Sequence, residues 1–413
     1  MSNKGLSDES AIRPAGIGNH FRLFVRLACL LGAVLCLLPI SNQDALPVFV
    51  PALSPFVAVA SILTLKTIRP LLAFGLVTGL AALVRHRWFC RWACPMGLCL
   101  DGASGLGRRL KRKAHQTTWI GRWLFALTLG GAILGCPLFL WCDPLALFAG
   151  LFLVTDQHQL LAGGVSFLVV ASLLILSLLW PHIWCRGCCP LGALQDQFSV
   201  MTRSARSMLR PATDVPDRVP SGHPVARRTM LGLVAGVASA SIFRLAGRAT
   251  SQPIRPPGAV DELTFEWLCS RCGNCLRSCP YSIIRRETGQ RGFAGILTPA
   301  LTFDKDYCRE DCIRCTQVCP SGALAGVDLK NKPDVHIGLA QVDMSLCLLG
   351  EDRECSACMR WCPYGAIHYV FSEANYTLVP MIDVGRCNGC GACEVACPTS
   401  SRKAIRVFRK ILD

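Results

Sequence analysis

Between Trp123 and Cys185 the sequence has neither lysine nor arginine, and between Cys189 and Cys269 it has no cysteine. The first absence excludes a cytoplasmic placing for the loop inside that stretch, because cytoplasmic loops of membrane proteins carry an excess of positive charge. The second divides the cysteines into two separate populations. Acidic residues are also scarce, 27 against 43 Lys and Arg, for a net charge of +16. Such an excess can mark a nucleic-acid partner, but here the basic residues flank apolar spans and act as topology determinants, so no nucleic acid is expected. No Cys-x-x-Cys is followed by His, which excludes covalently attached haem. At 413 residues the chain is no short secreted scaffold, so its 26 cysteines point to metal rather than to a disulfide framework.

What is present is an apolar first half. Hydrophobic residues make up 52% of the chain and mean hydropathy is +0.39. Four stretches near 21–40, 71–86, 119–140 and 160–181 approach the roughly 20 apolar residues that cross a bilayer as helix. Within each pair lies a Pro-broken apolar piece, LPVFVPALSPFVAVASIL and then WCDPLALFAGLFL, which reads as a re-entrant or interfacial hairpin, since irregular backbone at that depth has to be buried in protein or face water. Both pairs close alike, with RWFCRWACPMG and HIWCRGCCPLG. This is an internal repeat, and it makes Cys90, Cys94, Cys185 and Cys189 a candidate metal set.

Positive charge sets the orientation. Arg13, Arg22 and Arg26 precede the first span, Arg85 to Lys113 crowd the loop after the second, and Arg186, Arg203, Arg206 and Arg210 follow the fourth. The amino terminus and both Cys-Pro loops therefore face the cytoplasm, with Lys66 and Arg69 dissenting. Beyond a polar linker comes PVARRTMLGLVAGVASASIFRLAG. Arg227 and Arg228 before a weakly apolar run have the layout of a twin-arginine export signal, which a receptor reads. An ordinary fifth helix is the alternative.

The second half carries sixteen cysteines in four groups, each ending in Cys-Pro. They are Cys269, Cys272, Cys275, Cys279; Cys308, Cys312, Cys315, Cys319; Cys347, Cys355, Cys358, Cys362; and Cys387, Cys390, Cys393, Cys397. Three thiolates in a tight loop bind three irons of a cubane, while the fourth, turned away by the proline, reaches a partner cluster. Four groups make two pairs and predict four [4Fe–4S] clusters, with one more where the membrane cysteines meet. A zinc ribbon would instead offer two cysteine pairs separated by a long arm. Unfolded export of these thiols would expose them to oxidation, so the cargo and the twin-arginine segment support each other.

Ten cysteines remain outside the groups. Beyond the four in the repeated loops, Cys29 and Cys36 read as small apolar side chains. Cys99 and Cys188 neighbour the Cys-Pro motifs, and Cys136 and Cys142 flank PLFLW, where packing competes with a ligand or disulfide role. The glycines of GASGLG lack a strand-turn-helix context and read as a loop. Asp44 and Asp143, before the two Pro-broken pieces, are candidate proton acceptors or simply interfacial acids. No catalytic residue is assigned.

In the order and unequal spacing of all four groups, behind a twin-arginine segment, residues 225–413 resemble the exported ferredoxin-type proteins NapG and MauM. Residues 20–200 resemble their membrane partners NapH and MauN, through the two Cys-x-x-x-Cys-Pro loops and the ALSPF and CDPLALF pieces. The fold expected is a polytopic α-helical membrane domain, of about four spans plus re-entrant pieces, followed by an α+β polyferredoxin domain of paired bacterial-ferredoxin-like motifs. The boundaries are a cytoplasmic tail at 1–20, the membrane domain at 21–200, the linker and signal or anchor at 201–248, and the ferredoxin domain at 249–413. The resemblance implies an electron-transfer subunit of a quinol dehydrogenase in a bacterial inner membrane. It would take electrons from membrane quinol and pass them to a periplasmic acceptor, a c-type cytochrome or a reductase, and make no small-molecule product of its own. A redox- or metal-sensing or maturation protein, and a membrane copper reductase of the CcoG kind with cytoplasmic clusters, are the alternatives. One departure from the pattern stands out: the cytoplasmic ferredoxin groups expected after the membrane half are missing, which leaves the route across the membrane open.

Overall fold

The computed structural model describes residues 17–38, 46–112, 120–153, 160–208, 224–246, 253–287, 294–351, 353–373, 376–399 and 402–409. The first half is helical. Its main helices are α1 (Ile17–Leu37), α2 (Pro55–Leu65), α3 (Pro70–Val84), α4 (Pro95–Arg109), α5 (Ile120–Ile133), α6 (Pro144–Leu151), α7 (Leu160–Leu179), α8 (Pro190–Met208) and α9 (Pro224–Ala246). His20–Leu37 and Arg227–Leu245 are long and apolar enough to cross a membrane. The pair Leu46–Ala52 and Pro55–Leu65, bent by 83°, makes a third crossing if counted as one. Pro70–Val84, Ile120–Ile133 and Gly163–Leu179 are apolar but shorter. The four apolar stretches expected to span fall on α1, α3, α5 and α7, of which α1 meets the length and hydropathy test, and the run read as an export signal meets it too.

Four helices begin on the same device. Ser54, Cys94, Asp143 and Cys189 each precede the proline that opens α2, α4, α6 and α8, and Pro at the first helical position suits a helix start because its missing N–H would be unpaired there anyway. The residue before each proline is extended, with ψ between 114° and 126°, as the proline ring requires. Its side chain then caps the turn: Ser54 accepts from Val57 N–H, the Cys94 thiol from Gly97 N–H, and Asp143 from Leu145 and Ala146 N–H. At both Pro-broken pieces the chain turns, at Ser54-Pro55 or Asp143-Pro144, and leaves as α2 or α6; the bend at the first is that of a broken span or a re-entrant loop. GASGLG is no loop, but the middle of α4. Its Gly107 lies against the Leu178 carbonyl in the last turn of α7, a close approach that a Cβ would block.

The repeat read from the two Cys-Pro endings is a repeat of structure. Span, re-entrant piece, span, cysteine turn and polar helix recur as α1, α2, α3, Trp88–Trp92, α4 and as α5, α6, α7, Ile183–Cys188, α8. The halves interlock: α4 packs on α6 and α7, and α8 on α2, α3 and α5. Helix α9 lies along α5 and runs parallel to it. Gly232 meets Ala126, Gly130 and Gly236 meet each other's helix backbone, and Arg244 reaches Gly135. This is the small-residue seam by which membrane helices approach closely. Arg227 and Arg228 thus stand, exposed, at the end of the bundle that carries the cysteine turns, and α9 delivers the chain to the opposite end.

There the second half begins, with three small antiparallel ribbons: β1 (Ile284–Arg286) with β2 (Pro299–Leu301), β3 (Leu339–Val342) with β6 (Ile405–Phe408), and β4 (Ile367–Ser372) with β5 (Thr377–Ile382). Each cysteine group leads into a one-turn helix, at Asn274–Arg277, Arg314–Gln317, Ala357–Arg360 and Ala392–Ala396. Near the carboxy terminus Arg409 pairs with Glu262, which ties the end of this half to its beginning. One hydrophobic core is continuous from Phe56 and Leu145 of the bundle to Phe265, Leu301 and Val407.

Candidate metal centres

In the second half the sixteen cysteines assemble into four sets of four, and each set takes its last member from another group. Cys269, Cys272 and Cys275 face Cys319 across a narrow internal gap. Cys308, Cys312 and Cys315 share their field with Cys279. Cys347, Cys355 and Cys358 line a gap with Cys397, and Cys387, Cys390 and Cys393 line one with Cys362. The first two groups therefore exchange their fourth cysteines, as do the last two. The exchange is built locally: after Cys319-Pro320 and Cys362-Pro363 the chain turns back, so that Leu324 and Ala366 donate N–H to the thiols of Cys319 and Cys362 at 3.4 and 3.3 Å. The two pairs touch where Cys308 N–H donates to the Cys390 carbonyl at 2.9 Å.

The donor chemistry fits iron–sulfur clusters. Burial pushes the thiols of Cys269 and Cys390 up to about 12 and that of Cys308 up to about 11, with neighbouring thiols adding to the rise at Cys269 and Cys390. Such sulfurs hold protons unless a metal replaces them. At Cys397 burial acts in the same sense, but hydrogen bonds from Thr399, Ile405 and Ala404 outweigh it and lower the pKa. Around the Cys269 set lie the half-buried Arg277 and the buried Arg286, pushed down to about 10 by loss of water and drawn back up by Cys272 and its neighbours. A thiolate-ligated cluster at this set would carry negative charge beside both arginines. Among the described residues no three His, Cys, Asp or Glu side chains are gathered closely enough for a single metal ion; the Cys269, Cys347 and Cys387 sets each ring a gap instead.

The membrane cysteines converge as well. Cys90, Cys94, Cys185 and Cys189 line one cavity of about 880 Å³ at the Arg227 end of the bundle, each within electrostatic reach of others in the set. Gln195 donates to the Cys90 sulfur at 3.1 Å. Arginines 22, 26, 87, 122, 186 and 203 line the walls and Pro144 the far end. The residues fit an anionic cluster in the same way as those of the second half.

The sequence reading missed what holds these turns. Arg87 and His182, each three residues before the first cysteine of its loop, both take left-handed backbone, with φ of 50° and 65°. Each reaches across to the other repeat. Arg87 grips Asp196 with two bonds of 2.6 Å, and His182 Nδ1 lies 3.6 Å from Asp101, which also pairs with Arg26 at 2.7 Å. Asp101 and Asp196 each stand seven positions after the Cys of a Cys-Pro, and that common offset is the signal that could have revealed them.

The other candidates are placed as follows. Asp143 is fully buried, so it does not reach interfacial water, and Ser54 donates to it at 2.5 Å. Asp44 lies outside the described residues. Cys29 and Cys36 are half-buried in α1, Cys99 is half-buried in α4, and every described cysteine is free of disulfide bonding. Cys136 packs with Leu138, Ala240 and Trp267. The dissenting Arg69 donates to the Leu324 carbonyl at 3.1 Å; it is spent on holding the second half.

Fold and cysteine sets together define a ferredoxin-type iron–sulfur protein of electron transfer. Comparison with known proteins agrees. Residues 268–323 and 353–401 match the 4Fe-4S dicluster domain, and residues 67–113 and 162–208 match a 4Fe-4S binding domain. The methylamine utilization ferredoxin-type protein MauM of Methylobacillus flagellatus is 32% identical over 196 residues, 46% of this chain and 82% of the relative. The ferredoxin-type protein NapG of Escherichia coli is 34% identical over 191 residues, 44% of this chain and 81% of the relative. Ferredoxin-type protein NapF of the same organism is 31% identical over 155 residues, 37% of this chain and 85% of the relative. The chain belongs to the MauM/NapG family of ferredoxin-type proteins. No solved structure matches it.

Proposed function

We propose that the chain fuses a NapH/MauN-like membrane half to a NapG/MauM-like half and carries electrons from membrane quinol, through [4Fe–4S] clusters, to a periplasmic redox protein such as a c-type cytochrome or a reductase. The observation that carries this reading is the docking of the ferredoxin half on the end of the bundle remote from Arg227 and the cysteine turns. With the cysteine turns in the cytoplasmic leaflet, as the positive charges require, that half lies in the periplasm of a bacterial inner membrane.

Four clusters would be held by the four sets of the ferredoxin half and a fifth by Cys90, Cys94, Cys185 and Cys189. When bound, each accepts and releases one electron at a time. The protein's own residues bury many of the thiols, aim N–H groups at sulfur, and fix positive charge beside the Cys269 set and the membrane set. No side chain acts on a small-molecule product.

The test combines topology with reduction. Protease added to spheroplasts should degrade residues beyond 250, and menadiol, a soluble quinol, should reduce the clusters of the purified protein by low-temperature EPR. Protection of the ferredoxin half in spheroplasts would place the clusters in the cytoplasm and replace this reading with a copper reductase or a sensor.

A further inference from the structure

A quinol-linked cluster among the membrane cysteines and the clusters of the ferredoxin half lie on opposite sides of the bundle, and full hydrocarbon thickness, about 30 Å, is too far for a useful electron step. We propose that the second re-entrant piece, Trp141–Leu153, closes this gap: it is a single-layer bridge across which an electron passes directly from the membrane cysteine site to the Cys269, Cys272, Cys275 and Cys319 site, with neither haem nor a second quinone between them. The proposal rests on the quinol reading above and supplies the route that reading lacks.

Both faces of the piece are occupied by cysteine loops. On one face Pro144 lines the cavity that Cys94 and Cys189 also line, Asp143 lies within electrostatic reach of Cys94, and Cys142 within reach of Cys188. On the other face Gly273, between Cys272 and Cys275, rests on Leu153. Arg277 donates to the Ala149 carbonyl, and the Arg271 guanidinium, between Cys269 and Cys272, stacks 5.2 Å from the Trp141 ring centre. Cys142 is also within electrostatic reach of that same Arg271, so one residue faces both loops. Helix α6 has 8 residues, which at about 1.5 Å each rise about 12 Å. This short helix, rather than a full-length span, joins Pro144 at the cavity to Leu153 under Gly273.

The bridge is held rigidly, as a fixed tunnelling distance requires. Ser54 and Asp143 lock the two re-entrant turns to each other, Arg286 bonds Ser166 of α7 at 2.7 Å, and Arg69 bonds the Leu324 carbonyl five residues after Cys319. Of the four sets, the Cys269 set is the one these contacts seat on the bundle, which makes it the entry point. The contact between Cys308 and Cys390 then leads onward to the second pair. With clusters bound, the step would take one electron from a reduced cluster held by Cys90, Cys94, Cys185 and Cys189 to an oxidised cluster held by Cys269, Cys272, Cys275 and Cys319. No bond forms or breaks and no proton moves, so the two electrons of a quinol cross one after the other.

The experiment uses the full-length, cluster-loaded protein in detergent. Cys94→Ser and Cys272→Ser assign the EPR signals of the two sites. In the unaltered protein the signal of the Cys269 set should show fast spin relaxation caused by the nearby membrane cluster, and it should slow in Cys94→Ser. Menadiol should reduce the Cys269 set in the unaltered protein and not in Cys94→Ser, while dithionite reduces it in both. A haemochrome assay should find no haem. Relaxation of the Cys269 set that is the same with and without the membrane cluster, reduction by menadiol at the native rate in Cys94→Ser, or stoichiometric haem would each overturn the bridge. If menadiol reduces no cluster in the unaltered protein yet the magnetic coupling is present, the quinol reading fails and the bridge stands. Should Cys94→Ser not fold, Trp141→Ala, with every cysteine and arginine kept, should retain its iron and lose rapid transfer to the Cys269 set; an unchanged rate there counts against the bridge.

Discussion

Ser54 donates a 2.5 Å hydrogen bond to Asp143, and the two residues hold the same position in the two repeats, each capping the helix that leaves a re-entrant turn. Both side chains are fully buried. A buried acceptor stripped of its donor costs about 1–3 kcal/mol, so Ser54→Ala should lower the thermal midpoint of the detergent-solubilised protein. Asp143→Asn, which keeps an oxygen for the Leu145 and Ala146 N–H groups, should cost less. Equal losses would show that the carboxylate's contact with Ser54, rather than the cap, carries the stability.

The exchange of fourth cysteines can be read by spectroscopy. Cys272→Ser and Cys319→Ser should abolish the same EPR signal, and Cys279→Ser should abolish the one lost in Cys312→Ser. Cys29→Ser should leave the iron content unchanged, because Cys29 sits in α1 away from every set. A Cys319→Ser protein that loses the Cys312 signal instead would mean that each group keeps its own fourth cysteine.

The clasp between repeats gives a third expectation. Lysine at position 87 keeps the charge but cannot make two parallel bonds to Asp196, a loss of about 1–2 kcal/mol. Arg87→Lys should therefore shed iron from the membrane site on dilution, while the ferredoxin half keeps its full complement, as an iron-to-protein ratio before and after gel filtration will show.

Export and docking should separate by mutation. Replacing Arg227 and Arg228 by Lys leaves the α5–α9 seam untouched and should strand residues 250–413 inside, protected from protease in spheroplasts. Gly236→Leu leaves the arginines intact but forces a side chain into the Leu127 backbone, an overpacking worth about 1–3 kcal/mol. The domain should still be exported in that variant, yet be released from the bundle at lower detergent or urea concentration. Blotting should find one undivided chain, since the run that reads as a cleavable signal is packed along α5.

The cysteine groups were legible from local sequence. Closely spaced cysteines before a Cys-Pro ending mark three clustered thiols and a departing fourth, and the recurrence of a Cys-Pro ending after an apolar run marked the membrane repeat. The Pro-broken pieces announced themselves in the same way, because a proline after a capping residue starts a helix wherever it falls. GASGLG misled for the converse reason: its last glycine, Gly107, serves a neighbour, Leu178, more than 70 positions away, and glycine is tolerated in a helix when tertiary packing supports it.

Other features depended on partners remote in sequence. Arg87 reads as one more basic residue until Asp196 is beside it, Arg69 reads as a topology exception until Leu324 is found above it, and Arg227 to Leu245 reads as a departing signal until α5 is laid along it. Which group lends its fourth cysteine to which, and how near the membrane cysteines come to the Cys269 loop, are likewise distances between segments. Local chemistry determined what each segment can bind, since capping, proline geometry and ligand spacing act within a few residues. Which segments share a site was decided only by packing, because hydrophobic burial is non-directional and takes its geometry from whichever surfaces meet.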